Sequence, residues 1–350
     1  MTMVSFEPST SLSSLPTPEE LQKDFPLTQA AASFVLRSRE AVESILNGWD
    51  SRRLLIVGPC SIHDLSSALE YAERFRKLSE RVSDHFFMIM RTYFEKSRTI
   101  LGWKGMLYDP DLDGSYNLAK GARLTRQLLA ELTEMHIPTG SELLEINTIH
   151  YYVDFLTWGC VGARTCASPP HRQLAASLTL PIGFKNSVDG NIDQPIQGIL
   201  AAAAPHVYLG LTSSGQMTRI QAEGNSLCHV VLRGGLSGPN YRNESMSAVV
   251  QKCRQAKVRD RLVVDCSHDN CGKKPLQQIN VFESLVDQLV QGNSSLAGMM
   301  LESHLEGGSQ ELLFPLKYGV SVTDPCLDWE STERLILTAH ERLQHQDQDY

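Results

Sequence analysis

The sequence predicts an α/β protein built as a (β/α)8 barrel, and three observations support this fold class. Eight segments of strand length, most of them apolar, recur between residues 54 and 302. Helical patterns lie between most of these runs. No linker or repeated motif divides the series. Alternating strands and helices are typical of a parallel sheet covered by helices, and eight units favour a closed barrel over an open doubly wound sheet.

One apolar run too many lies before the seventh predicted strand. The other strands are predicted at 54–57, 86–90, up to 142, 159–162, 181–184, 262–265 and 297–301. Residues 206–211 and 228–232 compete for the sixth position. We interpret 206–211 and 219–221 as an inserted antiparallel pair, which leaves 228–232 for the barrel.

We divide the chain into three parts, namely an N-terminal arm and helix (1–50), the barrel (51–335) and a C-terminal tail (336–350). Residues 1–26 are polar and contain four prolines, which is typical of an arm rather than a core element. From Thr28 the pattern turns helical until Gly48, and we expect this helix to cover one end of the fold. Contact of the arm with a neighbouring subunit is left open.

Composition limits the possible partners and location. Hydrophobic residues make up 42% of the 350 residues and charged residues 21%, as in globular proteins. The net charge of −8 argues against a nucleic-acid-binding surface. No apolar run reaches the roughly 20 residues of a membrane span, and the N-terminus lacks a signal-peptide pattern. Eight cysteines without a CxxC pair indicate free thiols, so we expect a cytoplasmic protein without nucleic-acid or membrane partners.

Each predicted strand is followed by a residue that can ionise or bind a metal. In order these residues are Cys60, Arg91, Glu142, Arg164, Lys185, Arg233, His268 and Glu302. In a barrel they converge on one mouth, where catalytic residues usually lie. The four cations among them would repel each other unless anions bind between them. The segment 96–99 adds a second cationic cluster with Lys96 and Arg98, so the pattern predicts two anionic groups or two phosphorylated substrates.

A second set at the same mouth suits a metal ion. A thiolate, an imidazole and a carboxylate, from Cys60, His268 and Glu302, favour a divalent transition metal such as Mn, Fe, Co or Zn. Asp324 is a candidate fourth ligand. The alternative is that His268 is a loop residue hydrogen-bonded to Asp265 or Asp269.

Together these motifs resemble the type I 3-deoxy-D-arabino-heptulosonate-7-phosphate (DAHP) synthases over about residues 19–335. The motifs are GPCSIHD (58–64), FEK with RT (94–96, 98–99), GWKG (102–105), GART (162–165), GFKN (183–186), LRGG (232–235), SH (267–268) and ESHL (302–305). The resemblance implies a transferase that joins phosphoenolpyruvate, erythrose 4-phosphate and water into DAHP and phosphate, the first step of the shikimate pathway.

The resemblance also implies roles for individual residues. The metal ligands would be Cys60, His268, Glu302 and Asp324. Phosphoenolpyruvate would be held by Arg91, Lys96, Arg164, Lys185 and Arg233, with Glu142 nearby and the Ala163 amide helping. Arg98 and Thr99 would grip the erythrose phosphate. Lys96 is also placed to donate a proton to the new alkoxide.

The resemblance also implies feedback regulation of the enzyme, and two alternative functions are left open. In the family, the inserted pair and the N-terminal arm form an effector pocket for an aromatic amino acid between subunits, which implies a homodimer or homotetramer. Gly210 lies where phenylalanine-sensitive relatives tend to carry Ser, which favours tyrosine. One alternative is an enzyme for another phosphosugar aldehyde. The other is a non-catalytic paralogue that binds aromatic amino acids, supported only by the altered residues 166–170.

Overall fold

The computed structural model describes residues 13–98 and 100–348 and contains a closed barrel of eight parallel strands. The described residues form ten strands, and all except β6 and β7 belong to the barrel. They are β1 Arg53–Gly58, β2 Phe86–Arg91, β3 Thr139–Glu142, β4 Trp158–Val161, β5 Ile182–Lys185, β6 His206–Leu211, β7 Met217–Ala222, β8 Cys228–Leu232, β9 Leu262–Asp265 and β10 Leu296–Glu302. Around the barrel the order is β1-β10-β9-β8-β5-β4-β3-β2. The predicted fold class is confirmed.

Helices surround this barrel. They are α1 Pro18–Asp24, α2 Gln29–Asn47, α3 Leu65–Arg81, α4 Leu118–Glu134, α5 Pro169–Ser177, α6 Asp193–Ala202, α7 Asn243–Gln255, α8 Gln277–Val290 and α9 Trp329–Gln348, with two short 3₁₀ helices at Ile149–Tyr151 and Val153–Phe155. Of the helices in the described ranges, none is long and apolar enough to cross a membrane.

Alternate strand residues separate two cores. Leu54 and Ile56 of β1 point into the barrel, whereas Leu55 and Val57 pack against the surrounding helices. The inner core also contains Val42, Ile45 and Leu46 of α2. This helix is capped by the Thr28 side chain and ends at Gly48 with φ 79°. It closes the amino-terminal end of the barrel and leaves the carboxyl-terminal mouth open.

The extra apolar run belongs to an inserted hairpin, as predicted. Strands β6 and β7 pair antiparallel, from His206 opposite Ala222 to Leu211 opposite Met217, as a separate two-stranded sheet. Strand β8 takes the sixth barrel position between β5 and β9. One face of the hairpin exposes Val207, Leu209 and Met217.

The described residues near both ends of the chain contain more helix than the sequence suggested. Part of the arm folds as α1, where Thr17 and Glu20 form a reciprocal capping box. The boundary expected at residue 335 falls inside α9, which is continuous to Gln348 and buries Ile336 beyond that point. The division into arm, barrel and tail therefore stays a prediction.

Candidate active site

Strand register brings the two ends of the sequence together at the barrel mouth. Strands β1 and β10 pair in parallel with Gly58 opposite Glu302, so Cys60 emerges beside the Glu302 carboxylate. The loop after β10 returns Asp324 over the same point, where its Oδ2 lies 3.5 Å from Cys60 Sγ. Residues more than 200 positions apart thus meet because first and last barrel strands are neighbours.

Three of the four predicted metal ligands form one cluster. Cys60 Sγ and carboxylate oxygens of Glu302 and Asp324 lie within 4.8 Å of one another. Burial raises the pKa of the Cys60 thiol to about 11, and Glu302 adds to this effect. Thiolate and carboxylate donors suit a divalent transition metal, which would displace the thiol proton on binding. The donor set therefore fits the expected ion.

His268 lies at the edge of this cluster. It lines the same cavity as Glu302 and Asp324 but stands outside the close group of three. Its Nδ1 contacts Asp265 Oδ2 at 3.0 Å and Ser267 Oγ at 2.6 Å, so the hydrogen bond considered as an alternative is present. A carboxylate on one ring nitrogen is also the usual support of a metal-binding histidine. His268 has φ 56°, a strained conformation found often at functional sites.

Three of the predicted anion-binding cations are buried beside acids. Arg91 Nη2 donates to Glu302 Oε1 at 3.1 Å, and its guanidinium lies 4.0 Å from the centre of the Tyr93 ring. Arg91 Nη1 is buried with no hydrogen-bond partner among the described residues. Lys185 Nζ donates to Asp265 Oδ2 at 2.8 Å.

Arg233 completes this inner row through an ion pair with Asp269. Its backbone N–H donates to Asn186 Oδ1 at 2.9 Å, which fixes the start of the loop after β8. The buried cations are therefore balanced in part by acids, and Arg91 keeps an unpaired donor for a further anion.

Lys96 connects the cationic residues to the metal cluster. Its Nζ lies 3.0 Å from Cys60 Sγ and 3.9 Å from Asp324 Oδ2. Burial acts to lower the pKa of Lys96, but the charges of Cys60, Glu302 and Asp324 outweigh it and raise this pKa to about 12. Lys96 is therefore a fixed cation at neutral pH.

The remaining predicted residues lie nearer to solvent. Arg164 is exposed and its Nη1 donates to Ser97 Oγ at 3.3 Å, whereas Arg98 Nε donates to the Trp103 carbonyl at 2.9 Å. Ala163 is half-buried beside Arg164. Thr99 lies outside the described residues.

Glu142 is half-buried at the end of β3, and its carboxylate lies close against Gly162. A Cβ on Gly162 would come within 2.2 Å of Glu142 Oε1. The GART motif therefore shapes the wall of the site.

Comparison with known proteins identifies the group to which this site belongs. The profile of the DAHP synthetase I family matches residues 24–337. The chain belongs to the DAHP synthetase I family. The resemblance predicted from the strand-end motifs is confirmed.

Relatives of this family match almost the whole chain. The Trp-sensitive phospho-2-dehydro-3-deoxyheptonate aldolase of Escherichia coli K12 is 44% identical over 93% of this chain and 94% of its own length. The Tyr-sensitive protein of that name from Salmonella typhimurium is 44% identical over 95% of this chain and 94% of its own length. A solved aldolase structure from Francisella tularensis SCHU S4 superposes with a TM-score of 0.93 and 40% identity, covering 95% of this chain and 98% of that one.

Sequence reasoning considered Asp265 only as a hydrogen-bond partner of His268 and missed its contact with Lys185. Asp265 is fully buried and touches both Lys185 and His268. Burial alone would raise the pKa of Asp265, but Lys185 and His268 hold it well below its usual range. Its position as the last residue of β9 was the available signal.

Glu95 was also missed, although it stands in the FEK motif. It accepts hydrogen bonds from the Glu145 N–H at 3.0 Å and from Thr148 Oγ1. Burial raises the pKa of Glu95 to about 8. These bonds anchor the loop that carries Lys96.

Proposed function

We propose that this chain is an active DAHP synthase, which joins phosphoenolpyruvate to erythrose 4-phosphate with addition of water and release of phosphate. Family membership supports the reaction class. The observation that carries the proposal is the pairing of proposed metal ligands with proposed substrate cations: Cys60 with Lys96, and Glu302 with Arg91. A site with both sets in contact can bind an anionic enol phosphate directly beside a Lewis acid.

The buried cations would bind phosphoenolpyruvate. Arg91, Lys185 and Arg233 offer donors to its carboxylate and phosphate, and Arg guanidinium groups bind both bidentately. Arg164, Lys96 and the Ala163 amide would complete this site from the rim. Because these groups are fixed before the substrate arrives, they would act most strongly on the charge that develops on phosphate as its bond to carbon breaks.

The metal would be held by Cys60, His268, Glu302 and Asp324. A divalent ion there, of Mn, Fe, Co or Zn, would supply the Lewis acid that polarises the aldehyde carbonyl of erythrose 4-phosphate. His268 would use Nε2, since Nδ1 already contacts Asp265. The identity of the metal stays open.

Lys96 and Glu142 are the proposed proton-handling and orienting groups. Lys96 stands between the metal cluster and the loop of Arg98, so its ammonium would meet the aldehyde oxygen and donate the proton that the new alkoxide takes up. Glu142, in the wall beside Gly162, would orient the cationic side chains that bind phosphoenolpyruvate. Arg98 and Thr99 would bind the phosphate of erythrose 4-phosphate.

Phosphate release tests the reaction and its acceptor. The purified chain is assayed with phosphoenolpyruvate and Mn²⁺, with and without erythrose 4-phosphate, and then with a panel of other phosphosugar aldehydes. We expect release only with an aldehyde acceptor and fastest with erythrose 4-phosphate. Faster release with a different aldehyde would support the altered-acceptor alternative, and no release with any metal would support the non-catalytic one.

We also propose feedback control by an aromatic amino acid at the hairpin. The arm contacts the hairpin directly, since Glu19 N–H donates to the Ser213 carbonyl at 2.9 Å. Tyr151 Oη donates to the Pro16 carbonyl at 2.7 Å, and a cavity of about 230 Å³ lies between these segments. Relatives named Trp-sensitive and Tyr-sensitive support an aromatic effector for this chain.

The expected basis for tyrosine selectivity is different from what the sequence suggested. The space above Gly210 is filled by Ile220, whose Cδ1 lies 2.3 Å from where a Cβ at Gly210 would stand. Because the Trp-sensitive and Tyr-sensitive relatives are equally similar to this chain, they do not decide between effectors, and tyrosine stays a prediction. Inhibition titrations with tyrosine, phenylalanine and tryptophan, repeated on a chain lacking residues 1–26, test the effector and the arm. Equal inhibition of both chains would contradict a role for the arm.

Assembly and location stay predictions. The exposed apolar face of β6 and β7, with Val207, Leu209 and Met217, supports a homodimer or homotetramer through the hairpin. Sedimentation of Leu209→Asp against the wild-type chain tests this, and an unchanged mass would contradict it.

A further inference from the structure

The helix that precedes the last barrel strand carries a polar residue on its buried face. Helix α8 turns Val281, Phe282, Leu285 and Leu289 toward the core. Gln278 occupies the same face one turn earlier, and only 1% of this residue is exposed. A core-facing helix position usually carries an apolar residue, because burying an amide is costly unless it is hydrogen-bonded. Gln278 therefore needs partners in the interior.

Both ends of the Gln278 amide bond to one residue, the proposed metal ligand Glu302. The Glu302 N–H donates to Gln278 Oε1 at 2.9 Å, and Gln278 Nε2 donates to the Glu302 carbonyl at 3.2 Å. Two bonds to the backbone of one residue fix its direction as well as its position. The carboxylate of Glu302 thus leaves the strand from a backbone that a side chain of α8 holds in place.

The ends of the barrel strands explain why Glu302 needs this contact. Alternate residues of a parallel strand bond to its two neighbours, and the Met300 carbonyl accepts from the Cys266 N–H just after β9. Glu302 faces the same side as Met300, but β9 ends at Asp265, which lies opposite Met300. The backbone groups of Glu302 therefore extend beyond β9, and Gln278 takes the place of the strand that has ended.

The segment that carries another proposed ligand meets the same carbonyl. The Leu327 N–H, three residues after Asp324, donates to the Glu302 carbonyl at 2.9 Å. A carbonyl oxygen has two lone pairs, so Gln278 and Leu327 together occupy both. Gln278 also lines the cavity that His268, Glu302 and Asp324 border. It is therefore in contact with the frame of the whole cluster.

We propose, on the basis of the proposed function in which Glu302 binds the metal, that Gln278 is a positioning residue for the metal centre. By holding the end of β10, it keeps the Glu302 carboxylate within 4.8 Å of Cys60 Sγ and of the Asp324 carboxylate. Gln278 acts through Glu302 and is not itself a ligand. Its replacement would release the end of β10 and weaken metal binding, since residues that orient metal ligands change metal affinity by about 10- to 100-fold.

Metal titration calorimetry of the full chain with Mn²⁺ tests this role, with denaturant unfolding of the metal-free protein as the second readout. Gln278→Met keeps the length of the side chain but makes neither bond, and we expect its Mn²⁺ affinity to fall by about tenfold or more.

Gln288→Met is the matched control. Gln288 is also buried on α8 and donates to the Tyr241 carbonyl at 3.0 Å, but it lies about 15 Å further along the helix axis. Both variants should be less stable without metal, whereas only Gln278→Met should bind Mn²⁺ more weakly. An equal loss of affinity in Gln288→Met would overturn the proposal, because a weakened helix would then explain it.

Wild-type Mn²⁺ affinity in Gln278→Met would also overturn the proposal, and it would leave the proposed metal site intact. Absence of Mn²⁺ binding in the wild-type chain would instead overturn the metal site, and the role of Gln278 with it. Should Gln278→Met fail to fold, Gln278→Asn decides the matter, because its amide is one methylene too short to bond both backbone groups. Its Mn²⁺ affinity should fall by about threefold or more, and an unchanged affinity would refute the positioning role.

Discussion

Asp265→Asn tests whether this one carboxylate supports both the proposed metal site and the proposed phosphoenolpyruvate site. Asp265 is fully buried and contacts Lys185 Nζ at 2.8 Å, His268 Nδ1 at 3.0 Å and Ser267 Oγ at 2.6 Å. Asparagine keeps the shape but removes the charge. Lys185 would then be a buried cation without its partner, which costs about 3–5 kcal/mol of stability. His268 would lose the carboxylate that fixes its ring, which costs about 10- to 100-fold in metal affinity.

Asp269→Asn is the matched control: Asp269 follows His268 in the chain, but its side chain pairs with Arg233 and makes no described contact with the side chain of a proposed metal ligand. Metal titration calorimetry with Mn²⁺ and denaturant unfolding are measured for both variants. We expect Asp265→Asn to lose both metal affinity and stability, and Asp269→Asn to keep its metal affinity within about threefold. Wild-type metal affinity in Asp265→Asn would refute the proposed support of His268.

Three further predictions, made with four variants, test other parts of the site. Cys60→Ala should lose metal binding and activity, and full activity in the metal-free variant would exclude Cys60 as a ligand. Arg233→Ala should lower kcat/KM for phosphoenolpyruvate by a factor equivalent to about 2–5 kcal/mol, whereas Arg98→Ala should mainly lower kcat/KM for erythrose 4-phosphate. If Arg98→Ala changed only the KM for phosphoenolpyruvate, the proposal of two separate anion clusters would be wrong. Burial keeps a proton on Glu95 up to about pH 8 in the folded protein, whereas the unfolded chain loses it near pH 4.5. The free energy of unfolding of the protein should therefore fall between pH 4.5 and 8, by at most about 1.4 kcal/mol per pH unit. Glu95→Gln should lack this fall in denaturant titrations at about pH 5–8. Parallel pH profiles for the two proteins would contradict the raised pKa.

The fold was predictable because its signals are local. Most barrel strands are short apolar runs, with β3 (TGSE) as an exception, and Gly48 ends α2 through a conformation that glycine adopts easily. The hairpin was separable from the barrel because it was one candidate strand too many in the series. The structure agrees with the separation, since β7 alternates exposed and half-buried residues over most of its length whereas β8 is buried throughout. The helix α1 was missed, although its capping box Thr17–Glu20 is readable in the sequence.

The active site was predictable only as a set of strand ends. Convergence of Cys60, Arg91 and Glu302 follows from barrel closure, which the strand count predicts. Their contacts do not follow, since the Arg91–Glu302 and Lys96–Cys60 pairs depend on side-chain directions across the mouth. The contact of Asp265 with Lys185 was hidden for the same reason, since Lys185 ends β5 and Asp265 ends β9.

One measurement tests the central claim most directly, namely that the metal cluster and the anion-binding cations form a single catalytic site. Phosphate release from phosphoenolpyruvate is followed with erythrose 4-phosphate in the metal-free chain, after Mn²⁺ is restored, and in Arg233→Ala with Mn²⁺. We predict no release in the metal-free chain and release after Mn²⁺ is restored. In Arg233→Ala with Mn²⁺ the rate should be lower by about 30-fold or more, which corresponds to the lower limit of the 2–5 kcal/mol expected above. Equal rates in the metal-free and metal-restored chains, or wild-type rates in Arg233→Ala, would contradict the account.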